Sequence, residues 1–219
     1  MTHSLHRRGS PESLANDYVV LVTPAIGYND EGAADKLREA LEVVLAAGPV
    51  NIGSYATGTV FAGATPEEIR RGLWEQPRVR CVFSSREQVV QVLKGLKERD
   101  LGLSVTVSGL MDQVLDMARE VGLQPHSVNL SLGIWGKTDA LPPEDVLEFV
   151  TMCGHGLISR QLVERAIDLV KQGRRTPEQA ARMIAPPCVC GIFNPVRAAE
   201  LFRKYVPGGE VRSERGVEG

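Results

Sequence analysis

The chain is poor in aromatic residues, carries no dominant charge and has no long apolar run, and each shortage removes a class of function. Phe, Trp and Tyr make up 5% of the 219 residues, and 25 Lys and Arg stand against 27 Asp and Glu. That composition supplies neither the basic stripe nor the stacking rings on which nucleic-acid binding depends. No apolar stretch reaches the ~18 residues that span a bilayer. Residues 1–16 are polar and lack the apolar core of a secretory signal. The expectation is a cytoplasmic protein that takes a small-molecule substrate, with neither nucleic acid nor membrane as a partner. Phosphate-cradling runs of the G-x-G-x-x-G or G-x-x-x-x-G-K-[ST] kind are missing too, as is a serine nucleophile elbow.

What is present is a hydrophobic content of 43%, enough for a sizeable core. From Tyr18 the chain alternates between two periodicities. Tyr18–Thr23 is a continuous apolar run, the pattern of a strand buried on both faces. Residues 31–47 carry Leu37, Leu41, Val44 and Leu45 at helical spacing, closed by Gly48-Pro49. Residues 50–62 are β-rich but broken by Gly53 and Gly58, which predicts a bulged strand or a hairpin. Thr65-Pro66-Glu67-Glu68 opens a short helix. A strand at Val79–Phe83, a helix to Arg99, a strand at 103–107, a helix at 110–121 and a last strand at 127–132 follow. After Trp135 four helical stretches succeed one another, at 142–151, 159–172, 176–184 and 194–206.

This alternation predicts an α/β fold with about five strands, at least partly parallel, and flanking helices. A ferredoxin-like α/β sandwich is the alternative. The expected organisation is a disordered segment over 1–16, an α/β domain over 17–139, a helical, cysteine-bearing subdomain over 140–206 and a disordered tail over 207–219.

Cysteine is scarce, with four in the chain, and three of the four are grouped. Cys153 stands in Met152-Cys153-Gly154-His155-Gly156, and the other two in Pro187-Cys188-Val189-Cys190-Gly191. The intervening helices, joined by a short turn at 173–175, form a hairpin whose outer ends bring the two clusters together. In a reducing compartment such grouping favours metal binding or catalysis over a disulfide. Cys153, His155, Cys188 and Cys190 offer the Cys₃His set of a tetrahedral zinc. Three thiolates can also hold an iron–sulfur cluster, with one iron open or bound by His155. Cys153 and His155 are then the catalytic candidates, at an open metal that polarises a small oxygen-bearing substrate. A non-catalytic metal staple in an accessory or cofactor-handling protein is a further alternative. So is thiol exchange at Cys188 and Cys190. Cys81, alone in an apolar strand, is expected to be core. Ser108 and Gly109, at a strand–helix turn, are candidates to hold a carboxylate or phosphate of a substrate or cofactor.

Met152-Cys153-Gly154-His155-Gly156, followed by Ile158, resembles the motif around one catalytic cysteine of the proline racemase family. The resemblance implies cofactor-free proton transfer between two opposed thiols, Cys153 and either Cys188 or Cys190. It covers about seven residues. That family's second motif has a Cys-Gly-Thr-Gly core, from which Cys190-Gly191-Ile192-Phe193 departs after two positions.

Overall fold

The computed structural model describes residues 5–74 and 77–208. Its strands are β1 (Tyr18–Thr23), β2 (Asn51–Ser54), β3 (Gly58–Thr59), β4 (Val79–Phe83) and β5 (Ser104–Ser108). They form one sheet in the order β3-β2-β4-β1-β5. Every neighbouring pair is antiparallel: β1 runs against both β4 and β5, and β2 against both β3 and β4.

The expected partly parallel sheet is therefore corrected, and the reason is topological. The helices α2 (Ala33–Ala46) and α4 (Arg86–Arg99) do connect strands of like direction, β1 to β2 and β4 to β5. In each case another strand is inserted between the two, so no like-directed pair is hydrogen-bonded. Two interleaved split β-α-β units of this kind make the β-α-β-β-α-β order of a ferredoxin-like sheet. The unbroken apolar run in β1 reports burial on both faces, which a central antiparallel strand between two helical layers has as fully as a parallel one.

Those two layers divide the core. Tyr18, Val20 and Val22 join Cys81 and Phe83 under α2 and α4. Val19, Leu21 and Val82 point the other way, into a core shared with the C-terminal helices. These are α6 (Glu144–Val150), α7 (Arg160–Lys171), α8 (Pro177–Ile184) and α9 (Pro195–Arg203), which follow α5 (Met111–Glu120) in the chain. The helical segment thus forms the second layer of the same body. Cys81 is core, its thiol donating to the Val20 carbonyl.

Local signals hold where they are self-contained. Thr65 with Glu68 and Thr176 with Gln179 both form complete capping boxes, at the head of α3 (Pro66–Gly72) and of α8. The β-rich stretch after residue 50 is a hairpin, with Gly53 opposite Thr59 and Ser54 opposite Gly58.

Residues 127–132, expected as the last strand, are not one. Val128, Leu130 and Leu132 alternate as a strand would, yet they are 53%, 67% and 88% exposed and pair with nothing in the sheet. Alternation needs a partner edge to become a strand, and β5 bonds only β1. In the expected lead-in, residues 5–16 carry α1 (Pro11–Leu14), capped by Ser10, and buried polar contacts. Residues 1–4 and 209–219 of the expected disordered ends lie outside the described residues.

Candidate functional site

The four candidate residues come from two turns. Helix α6 ends at Thr151, and the chain turns through Cys153, whose amide bonds the Val150 carbonyl and whose carbonyl accepts from Gly156. Gly156 takes a φ of 66°, and Ser159 then caps α7. The second turn follows α8: the Cys188 amide bonds Ala185, and Gly191 bonds back to Cys188. Antiparallel packing of α7 on α8 returns this turn to the first.

The second turn sits directly on β2. A Cβ on Gly191, at φ 80°, would lie 2.8 Å from the Gly53 Cα, and one on Gly53 would lie 2.9 Å from the Gly191 nitrogen. Two bare backbones therefore meet, and the glycine that broke the β pattern at 53 is there for this approach.

All three thiols are buried. The Cys188 sulfur lies 3.9 Å from that of Cys190, and Cys153 packs in the same buried cluster. Cys190 Sγ is in turn 3.7 Å from His155 Nδ1. The Tyr55 hydroxyl hydrogen-bonds Nε2 of the same ring, its own ring meeting the imidazole edge-on at 5.5 Å. His155 is exposed and Tyr55 is 43% exposed, so this end of the cluster faces solvent. Arg80 lies with its guanidinium 4.7 Å from the centre of the Tyr55 ring. It is 4% exposed, and its Nη1 has no hydrogen-bond partner among the described residues.

The electrostatics separate the thiols. Cys153 is pulled down to about 5, chiefly because the Cys188 thiol donates to it, with further help from the Leu157 and His155 amides. Cys190 falls to about 6 for the same first reason, aided by the Ile192 amide and by His155. Cys188, beside both, is pushed up and keeps its proton. Burial pushes Cys81 up as well.

Among the described residues no group of three or more His, Cys, Asp or Glu side chains stands in a metal-holding arrangement. The pairwise spacings are nonetheless those of neighbouring ligands. A tetrahedral ion with metal–sulfur bonds of ~2.3 Å sets its sulfurs roughly 3.8 Å apart. Cysteines on separate irons of a cluster stand farther apart than that. The Tyr55 hydroxyl bonds Nε2 and also lies 3.3 Å from Nδ1, the nitrogen that faces Cys190, so it orients the imidazole as a second partner does at a metal site.

Ser108 and Gly109 are elsewhere. Gly109 packs against the Tyr18 ring, where an added Cβ would lie 2.7 Å from Cδ1. Both line a cavity of about 690 Å³ bounded by β5, α5 and residues 123–131, to which no cysteine contributes. β1 and β4 separate β5 from β2, three strand spacings or roughly 14 Å. An antiparallel sheet divides its strand-end loops between two edges, so the loops do not gather at the cysteines.

Tyr55, Arg80 and Arg7 carry the surroundings of the site and were not singled out from sequence. Arg80 had a signal, a cation in the middle of an otherwise apolar strand. Tyr55 and Arg7 had none beyond residue type. No protein-family model matches the chain, and neither a curated protein nor a solved structure is significantly similar to it.

Proposed function

We propose that Cys153, Cys188, Cys190 and His155 bind one soft divalent ion, zinc in the first instance, in an enzyme acting on a small oxygen-bearing substrate. One observation carries the reading. Cys190 Sγ lies at ligand–ligand distance from both Cys188 Sγ and His155 Nδ1, while Tyr55 engages the far nitrogen of that imidazole. Two thiolates ionised below neutrality suit the reading, because metal binding must then displace one proton from sulfur rather than three. The three sulfurs are buried and His155 is exposed, so the imidazole is the ligand a substrate oxygen could displace. A bound zinc would supply Lewis-acid polarisation of that oxygen. The side chains around it set the approach, with Tyr55 and Arg80 forming one wall. Contact between sulfurs favours a single ion over a cluster. Four free cysteines accord with a reducing compartment such as the cytoplasm. No described helix is long and apolar enough to cross a membrane.

Anaerobic purification followed by metal and sulfide analysis tests the reading. One zinc per chain in a colourless preparation, lost in the Cys190→Ser variant, is the expected result. A folded chain that binds no zinc overturns it, as does a brown preparation with iron and sulfide.

A second reading has its own observation. The Cys188 and Cys190 sulfurs lie 3.9 Å apart, the juxtaposition from which thiol–disulfide exchange at that pair would start.

A further inference from the structure

The two cysteine turns are tied together by a residue far from both in sequence. Arg7 is buried, its side chain 6% exposed, and it donates through Nη2 to the carbonyl of Met152 at 3.2 Å and to that of Ile192. Met152 immediately precedes Cys153, and Ile192 lies two residues beyond Cys190. Through Nη1 the same guanidinium pairs with Asp17, which is fully buried. Arg197 Nη1 bonds the other oxygen of Asp17 at 3.0 Å, and Asn194 Nδ2 donates at 3.1 Å to the same oxygen as Arg7.

The rest of the arm is laced to the same layer. Arg197 reaches Ser13 Oγ at 2.9 Å and the Arg8 carbonyl. The Arg8 amide donates to Thr151 Oγ1, at the end of α6, and its side chain forks onto Glu144. Arg8 and Glu144 are exposed and add little, whereas the Arg7, Asp17 and Arg197 side chains are buried and paired with one another through the Nη atoms of the two arginines, Arg7 Nε having no partner among the described residues. A planar guanidinium suits this post because its donors diverge at fixed angles toward separate acceptors.

We propose that Arg7 is a positioning residue for the thiol site, bridging the Cys153 turn to the Cys190 turn and holding the sulfurs in contact. The amino-terminal arm is then a working part of the site. The effect on metal binding rests on the zinc reading above, but the bridge itself concerns the bare thiols and can be measured without metal.

The metal-free chain is oxidised with limiting diamide, which takes up the two electrons and two protons released as two thiols join. Disulfides are then mapped by mass spectrometry. Cys153–Cys188 links the two turns, while Cys188–Cys190 lies within one turn and serves as the internal control. In Arg7→Met the share of the link between turns falls at least severalfold relative to the control. A merely destabilised chain would alter both alike. Arg7→Lys keeps the charge beside Asp17 but cannot reach both carbonyls, and gives the same direction of change if the methionine variant does not fold. In parallel, zinc or cobalt affinity falls about 10–100-fold, the usual consequence of removing an outer-shell partner. An unchanged ratio in a folded variant overturns the bridge. A parent chain that binds no metal while the ratio still shifts overturns the zinc reading alone.

Discussion

Gly53 of the sheet and Gly191 of the second cysteine turn are in backbone-to-backbone contact, with no room for a side chain on either. This seat fixes where Cys188 and Cys190 stand, since both lie within three residues of Gly191. Gly191→Ala adds a methyl group against the β2 backbone at a positive φ, and should destabilise by about 2–3 kcal/mol. Gly156→Ala has open space around its added methyl and suffers only its φ of 66°, so it should lose about 1 kcal/mol. Thermal or denaturant unfolding of the two variants checks the order. Equal losses would mean that the contact with β2 is not tight.

Thiolate absorbance against pH should reveal two sulfurs ionising near pH 5 and pH 6, assigned to Cys153 and Cys190, with Cys188 and Cys81 still protonated at neutral pH. The sign for stability follows from an unfolded thiol near 9. Depressed values at Cys153 and Cys190 add stability that is complete above pH 9 and lost as pH falls toward 5. The raised value at Cys188 acts in the opposite sense, with its contribution complete below pH 9 and lost as pH rises. Cys188→Ala removes the neighbouring S–H, which can donate to one sulfur at a time, and should carry the low midpoints upward, while Cys188→Ser keeps a donor and should move them less. Midpoints that stay in place in Cys188→Ala would disprove its role.

Tyr55→Phe removes one hydroxyl at a half-exposed position and leaves the ring contacts with His155 and Arg80. If Tyr55 orients the imidazole, zinc affinity should fall about tenfold with unfolding unchanged. Competition against a chromophoric chelator measures the change. Affinity equal to that of the parent would remove His155 from the ligand set or Tyr55 from its support.

Arg80 is a buried cation whose Nη1 has no partner among the described residues, an arrangement that costs stability. Arg80→Met should therefore leave the fold as stable as the parent or more so, by about 1 kcal/mol. The Cys190 thiolate, which loses its neighbouring positive charge, should ionise at higher pH. A large loss of stability would show that the guanidinium is satisfied by water.

Much of the fold could be read residue by residue. The strand at Tyr18–Thr23, the helix opening at Thr65 and the helix hairpin all rest on neighbours within a few positions. Strand direction could not be read, because β1 looks the same whether its neighbours run with it or against it. The strand expected at 127–132 failed for a related reason: its alternation is sound, but no edge pairs with it. At the site, thiols and imidazole announced themselves by type. Tyr55, Arg80 and Arg7 did not, since each reaches the cluster from an element distant in sequence.

Sequence alone determined most of the helices and strands, residues 127–132 and the amino-terminal arm apart, and that three thiols and an imidazole would end two adjacent turns, because those outcomes depend on local periodicity, caps and one short hairpin. Tertiary structure decided the strand order, the division of the strand-end loops between two edges, and the arginine that bridges the cysteine turns. Those depend on pairings between residues tens to hundreds of positions apart, where many partners are chemically equivalent and only the packing of the whole chain selects among them.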